Sequence, residues 1–297
     1  MKIATSPINW NNEDVPDYRP WIPYPEILDE IQKAGYRATE WSSSLPEDPE
    51  RLKADLEARG LHLVGAFVAL DLKDPARHPA EIARALEKAR FLRALGAGHL
   101  VVADAGDPAR RAAAGHVGPE LALTDAQLAA LAEGLEALAE RLSDLGMALV
   151  FHNHVGTYVE TGEEIARLLE ATDPDRVGWC LDTGHLVYGG GDLLALLSRF
   201  APRVRYLHLK DVDPNVLARA RAEGWSFEEA LRRYIFAPLG EGTVPLREAL
   251  RKVLESGYDG WAVIEQDTTP KDPTETAREN RARLEALLRE LGHDAAL

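Results

Sequence analysis

Four short apolar runs in the second half of the chain each end in ionisable residues. Leu149-Val150-Phe151 leads into His152-Asn153-His154, and Val177-Gly178-Trp179-Cys180-Leu181 leads into Asp182-Thr183-Gly184-His185. Val204-Arg205-Tyr206-Leu207 leads into His208-Leu209-Lys210-Asp211, and Trp261-Ala262-Val263-Ile264 leads into Glu265-Gln266-Asp267. Each run is brief, partly β-branched or aromatic, and bounded by turn or helix signals, the pattern of a buried strand. If the four strands are parallel in one sheet, their C-terminal ends share one face. His, Asp, His and Glu then converge as a ligand set for a divalent metal. Such a set points to an enzyme.

Asp182 at a strand end can bind a hard or borderline cation, or it can cap the next helix. Gly184 permits a tight exit that turns His185 inward toward a substrate. His208 and Lys210 stand on one face, because side chains alternate along a strand, and the inner face of a barrel strand points at the axis. His208 then reads as a metal ligand, and Lys210 as a group that orients a hydroxyl or polarises a carbonyl, with a plain surface lysine as the alternative. Glu265 closes an apolar strand, where a carboxylate is costly to bury unless paired or metal-bound, so it reads as a ligand with some general-base character. Glu40, after Arg37-Ala38-Thr39, is a weaker parallel that orients substrate or braces a loop. His152 and His154 share a face, and either of them, or Glu160 on the exit loop, could complete the metal shell. Trp10, at the end of the first strand, is expected to wall the pocket, against the plainer role of a Trp packed between loops. His-Asn-His matches a nuclease label only in its letters. Gly189-Gly190-Gly191 lacks the ending of a phosphate-binding loop and reads as the start of the next helix.

The elements that must position these groups alternate along the whole chain. Strands are expected at Lys2–Thr5, Ala38–Trp41, Leu61–Phe67, His99–Ala103, Ala148–His152, Val177–Leu181, Val204–Leu209 and Ala262–Glu265. Amphipathic helices are expected at Tyr24–Ala34, Pro49–Arg59, Pro79–Leu95, Asp125–Leu145, Gly162–Ala171, Asp192–Phe200, Leu246–Ser256 and Pro273–Leu291. Gly35, Gly60, Gly96, Gly146 and Gly257 stand where left-handed C-caps belong, and Thr124 is a plausible N-cap. Eight βα units in succession predict a single (β/α)8 TIM-barrel domain spanning the chain. A doubly wound sheet is the alternative, but no Gly-x-Gly-x-x-Gly follows the first strand. Three long segments follow strands: Asn11–Pro23, Gly106–Leu123 and Asp213–Gly242, the last with a helix around Val216–Tyr234. They are expected on the catalytic face, with Asn11–Pro23 and Asp213–Gly242 covering the substrate.

Composition narrows the partners. A chain of 297 residues with 45% hydrophobic content can fill one large barrel; such barrels run to about 250 residues. Its 34 basic and 49 acidic residues, net −15, argue against nucleic acid or an anionic membrane as partner. The single cysteine, Cys180, allows no disulfide framework and reads as a small buried hydrophobe. No signal peptide is recognisable and no run approaches the ~20 apolar residues of a membrane span, so a cytoplasmic protein is expected. The many Ala, Leu, Arg and Glu suit a thermophile or a GC-rich genome. A homo-oligomer is left open.

With these clusters in hand, the chain resembles the xylose-isomerase-like superfamily of metal-dependent TIM barrels, and within it the myo-inosose-2 dehydratases. The resemblance runs over nearly the whole chain. It rests on Ser6-Pro7-Ile8-Asn9-Trp10-Asn11-Asn12-Glu13-Asp14, His152-Asn153-His154-Val155-Gly156-Thr157, Asp182-Thr183-Gly184-His185, His208-Leu209-Lys210-Asp211, and Gly257-Tyr258-Asp259-Gly260-Trp261 with Glu265-Gln266-Asp267. The first two stretches are the more discriminating. The chain departs from the family at Asn9, where a small residue is frequent, at Asn153, where a third His is frequent, and in a shorter Glu-Gln-Asp ending.

The resemblance implies a lyase of inositol catabolism that removes water from 2-keto-myo-inositol, a cyclic polyol ketone, giving a trihydroxycyclohexane dione. It implies a divalent metal, Mn2+ or Co2+, bound to the ketone and a neighbouring hydroxyl; from the residues themselves, Glu265 is expected as ligand and base and His152 or His154 as acid. Glutathione is associated with the family, and the sequence offers no site for it. The rival reading is a sugar isomerase or 3-epimerase with the same metal. Related epimerases place Glu where His152 stands, so this chain lacks one of their paired bases. A non-catalytic sugar-binding barrel is disfavoured by the full set of Asp182, His208, Lys210 and Glu265. An endonuclease of the superfamily is disfavoured by the net charge.

Overall fold

The computed structural model describes residues 1–295. Eight parallel strands close into a barrel: β1 (Lys2–Thr5), β2 (Ala38–Trp41), β3 (His62–Leu70), β4 (His99–Asp104), β5 (Ala148–His152), β6 (Val177–Asp182), β7 (Val204–Leu209) and β10 (Trp261–Ile264). A two-stranded antiparallel ribbon, β8 (Asp211–Val212) with β9 (Phe236–Ala237), sits outside the barrel sheet. Every neighbouring pair in the barrel follows chain order, and β1 closes the ring on β10 with Thr5 beside Ile264. Helices between the strands pack outside it, and their apolar faces and the strands' outward side chains form the larger core. The expected TIM barrel is the fold found.

Inside the barrel, each of the eight strands contributes one residue to a second core: Ala4, Ala38, Val64, Val101, Val150, Cys180, Tyr206 and Val263. This layer plugs the barrel and sets its phase. Because strand side chains alternate, the next inward residues lie two positions further on. On five strands these are Glu40, His152, Asp182, His208 and Glu265.

The elements start and stop largely where the sequence signals lie. All five glycines expected at helix C-termini have positive φ, and Thr124 forms a capping box with Gln127. Two expectations change. The segment Val216–Tyr234 is two helices, Pro214–Glu223 and Phe227–Arg232, not one. Gly224 ends the first at φ 64°, a left-handed position that favours glycine, and Ser226 caps the second. A short helix, Thr183–Tyr188, also begins directly at the end of β6. Among the described residues, no helix is long and apolar enough to cross a membrane.

The loop after β4 is anchored by Arg110, whose side chain is fully buried. Its guanidinium pairs with both oxygens of Glu164 at 2.8 and 2.9 Å and donates to the Leu121 carbonyl at 3.2 Å. Glu164 in turn closes the capping box of helix Gly162–Ala171 with Thr161. Breaking a buried pair from one side strands the other charge. Arg110→Met is therefore expected to cost about 3–5 kcal/mol in denaturant unfolding, and an unchanged midpoint would contradict this anchor.

Candidate active site

The site is built by counting in twos from the barrel plug. The first layer above it holds Glu40, His152, Asp182, His208 and Glu265; the second holds Ser42, His154, Lys210 and Asp267 two residues later on the same four of these strands. All except Asp182 line one cavity of about 240 Å³, with Ser6, Ile8, Glu13, Asp14, Trp41, Ser43 and Phe67 completing its wall. Gly184 occupies the equivalent second-layer place after Asp182. A Cβ there would lie 2.4 Å from Lys210 Cβ, so the missing side chain makes room for the lysine.

The first layer is a chain of close contacts. His152 Nε2 lies 3.3 Å from Asp182 Oδ2, and His208 Nδ1 lies 3.9 Å from the same oxygen. His208 Nδ1 is also 3.0 Å from Glu265 Oε2, while His208 Nε2 is 3.1 Å from Glu40 Oε1. Tyr206 donates its hydroxyl to that Glu40 oxygen at 2.9 Å. Asp182 divides its carboxylate between two tasks. Oδ1 accepts from the His185 N–H at 2.7 Å and caps helix Thr183–Tyr188, leaving Oδ2 to the site. Ligand and cap were alternatives on sequence; one carboxylate has an oxygen for each.

Lys210 Nζ ties the layers together, at 2.8 Å from Glu265 Oε2, 3.0 Å from Asp267 Oδ1 and 3.5 Å from Asp182 Oδ2. Burial opposes its charge, but Asp267, Glu265 and Asp182 outweigh burial and push its pKa well up. Burial likewise opposes ionisation of Glu265, and His208 with Lys210 still hold its pKa well below the usual carboxylate range. Asp182 follows the same pattern, with Lys210 and His152 overcoming burial. His208 is pushed well up, since Glu265 and Glu40 on its two sides outweigh burial. For Asp267 burial wins, and its pKa is raised.

The xylose isomerase-like TIM barrel family model matches residues 28–287 of the chain. An inosose dehydratase of Geobacillus kaustophilus (strain HTA426) is 37% identical over 279 residues, 91% of this chain and 88% of that protein. The chain belongs to the inosose dehydratase family of xylose isomerase-like barrels. Among solved structures, the probable 3-DHS dehydratase AsbF from Bacillus anthracis superposes with a TM-score of 0.72 at 17% identity, over 96% of this chain and 98% of that one. An L-ribulose 3-epimerase gives 0.72 at 16% identity, over 98% of this chain and 96% of that one. A dehydratase and an epimerase share this backbone equally well, so the fold by itself selects neither chemistry.

In this inosose dehydratase family member, three expected site residues lie elsewhere. Trp10 is fully buried, with Nε1 donating to Thr274 Oγ1 at 2.9 Å, and does not reach the cavity. The aromatic wall is Trp41 and Phe67 instead; the Phe67 ring meets His152 edge-on at 5.5 Å. Glu160 is also buried away from the cavity. It accepts from the Gly115 and Gly156 N–H groups, both at 2.7 Å, and so braces two loops. Burial raises its pKa to about 7. His185 stands behind the site, its ring stacked on His154 at 3.8 Å and its Nε2 3.3 Å from Lys210 Nζ. It touches substrate-facing groups without lining the cavity.

Several residues that shape the site are missing from the expected set. Asp267 belongs to the second layer, and its signal was its spacing of two from Glu265. Asn9 and Asn153, the departures from the family pattern, tie strand ends together. Asn9 accepts from the Gln266 N–H at 2.8 Å and donates to the Ile264 carbonyl at 3.2 Å, fixing the backbone around Glu265. Asn153 donates to the Asp182 carbonyl at 3.1 Å and accepts from the Asp182 N–H at 3.2 Å. Arg111 joins three long loops over the cavity, pairing with Asp14 at 2.7 Å and Glu228 at 2.6 Å. Of the two segments expected to cover substrate, Asn11–Pro23 lines the cavity through Glu13 and Asp14. Asp213–Gly242 instead backs it, with Phe227 packed on His154 at 5.2 Å.

These placements separate two aromatic roles. Trp10→Ala is expected to lower unfolding stability by about 3–5 kcal/mol and to leave KM unchanged. Phe67→Ala, at a position 40% exposed, should raise KM with little loss of stability. Normal stability with a raised KM in Trp10→Ala would reverse the assignment.

Proposed function

We propose that this protein removes water from an inosose, a cyclic polyol ketone of the 2-keto-myo-inositol type, to give a trihydroxycyclohexane dione. Family membership supports the substrate class. A cavity of about 240 Å³, smaller than the roughly 300–1,000 Å³ of drug-sized sites, suits a single six-membered ring. Ser42, Ser43, Glu13 and Asp14 supply partners for its hydroxyls.

The donor set fits a divalent ion. Asp182 Oδ2 is buried with no hydrogen-bond partner, its nearest nitrogens being His152 Nε2 at 3.3 Å and Lys210 Nζ at 3.5 Å, which is costly for a carboxylate oxygen unless something else satisfies it. Asp182, His208 and Glu265 would hold the ion, with His152 as the fourth ligand, and we assign Mn2+ or Co2+. When bound, the ion supplies Lewis acidity to the ketone and a neighbouring hydroxyl. Glu40 takes the Nε2 proton of His208 as a hydrogen bond, so Nδ1 is the nitrogen turned toward Asp182 and Glu265.

The observation that carries the reaction is the unequal pair of groups above the ligands. His154 Nδ1 lies 2.6 Å from the Val155 carbonyl, to which it must donate, so Nε2 of the neutral ring keeps its lone pair. Burial, reinforced by His152, lowers the His154 pKa and keeps the ring neutral. With its Nε2 lone pair free and its ring lining the cavity, His154 is placed to take the carbon-bound α-hydrogen, a role it owes to position and not to basicity. Lys210 stays an ammonium and is suited to stabilise charge growing on oxygen and to protonate the departing β-hydroxyl. Glu265 Oε2 is already engaged by His208 Nδ1 at 3.0 Å and Lys210 Nζ at 2.8 Å, which suits it to the ligand's role. This division reverses the acid and base expected on sequence. It suits elimination, since an epimerase needs two groups that each accept and return a carbon-bound proton.

Incubation of the metal-loaded protein with 2-keto-myo-inositol should produce the ultraviolet absorbance of an enolised dione. His154→Gln should lower kcat by about 10²–10⁴-fold while binding the ion normally. Deuterium exchange at the α-carbon without dione would point to an epimerase, and an unchanged kcat in His154→Gln would remove it as the base. Asp182→Ala should lose the ion on dialysis, measured by metal analysis; full occupancy would exclude Asp182 from the ligands.

A further inference from the structure

Cys180 lies in the plug layer of the barrel, directly beneath the ligands. Its register partner on β5 is His152. The Cys180 thiol, one ring nitrogen of His152 and one of His208 lie within 4.8 Å of one another. All three residues are at most 1% exposed. His152 Nδ1, the nitrogen not turned to Asp182, is buried without a hydrogen-bond partner. We propose that Cys180, His152 and His208 form a second metal site that takes thiophilic ions such as Zn2+ or Cd2+.

A thiolate with two imidazoles is a soft donor set, and a carboxylate-rich set is a hard one. Zinc bonds of about 2.0–2.3 Å hold tetrahedral ligands roughly 3.3–3.8 Å apart. Closing the three donors around an ion therefore takes a contraction of about 1.5 Å at most from the 4.8 Å limit. On binding, the Cys180 S–H bond breaks, a sulfur–metal bond forms and the proton leaves to solvent, with no change of oxidation state. Without an ion, the apolar surroundings of Val150 and Val263 keep the thiol protonated and inert. Both imidazoles line the cavity, so an ion reaches Cys180 from the substrate side without opening the barrel. The two sites share His152 and His208 and exclude each other. A thiophilic ion therefore withdraws both imidazoles from the upper centre and inhibits, whatever substrate the enzyme turns over.

The chain has a single cysteine, so any thiolate-to-metal charge-transfer band must arise from Cys180. Titration of the full-length protein with Cd2+ should produce such a band, saturating at one ion per chain. Cys180→Ala and Cys180→Ser should bind Mn2+ like the parent, measured by electron paramagnetic resonance. Both should bind Cd2+ more weakly, by more than the roughly 10–100-fold that loss of an outer-shell partner costs. Saturation of the parent with Cd2+ and no band would overturn the site, and this readout stands even if a variant fails to fold. Unchanged Cd2+ affinity in folded Cys180→Ala would overturn it too. Neither result depends on dehydration of an inosose.

Discussion

Six ionisable side chains meet at one end of this barrel almost wholly out of water: Glu40, Asp182, His208, Lys210, Glu265 and Asp267 are each at most 6% exposed. Charges can be buried together only if each is answered by another. Lys210 and His208 are the two cations, and four carboxylates face them. Part of the mismatch is relieved by proton uptake, since burial raises the pKa of Asp267. The remaining negative charge is concentrated on Asp182 and Glu265, whose pKa values are held low. A centre of this kind has the charge to favour a dication.

Such a cluster holds its geometry only if the backbone beneath it is fixed. The plug layer supplies the phase, one residue from every strand. Above it, side-chain amides and hydroxyls tie strand ends to one another. Asn9 grips the end of β10, and Asn153 grips the end of β6. Thr183 Oγ1 both donates to the Lys210 carbonyl at 2.7 Å and accepts from its N–H at 3.1 Å. Asp211, just beyond, is spent entirely on structure: it accepts from the N–H groups of Gly240, Gly242 and Val244 and holds the segment after β9 against β8. These hydrogen bonds fix the backbone from which Asp182, Lys210 and Glu265 project.

The sequence made the barrel legible because alternation and glycine punctuation are local signals. The same alternation brought out His208 with Lys210 and His152 with His154. Extended one step, it also reaches Asp267 from Glu265 and leads back from Glu40 to the plug. Less legible were features decided by distant partners. Trp10 is claimed by Thr274, 264 residues away, and Glu160 by the Gly115 backbone, 45 residues away. Nothing near either residue announces those partners. The two helices after β8 looked like one because amphipathic spacing continues across Gly224, and only its left-handed backbone breaks the run. The division of Asp182 between cap and site was invisible for another reason: a single letter cannot say that two oxygens point in different directions.

Crystals of the protein grown with Mn2+ and measured at the manganese absorption edge test the central claim most directly. The account predicts one anomalous peak about 2.0–2.3 Å from Asp182 Oδ2, His208 Nδ1 and Glu265 Oε2, with His152 beside it and the Lys210 ammonium moved off Asp182. A peak bound elsewhere, or a fully loaded crystal in which Lys210 still bridges Asp182 and Glu265 with no manganese between them, would contradict it.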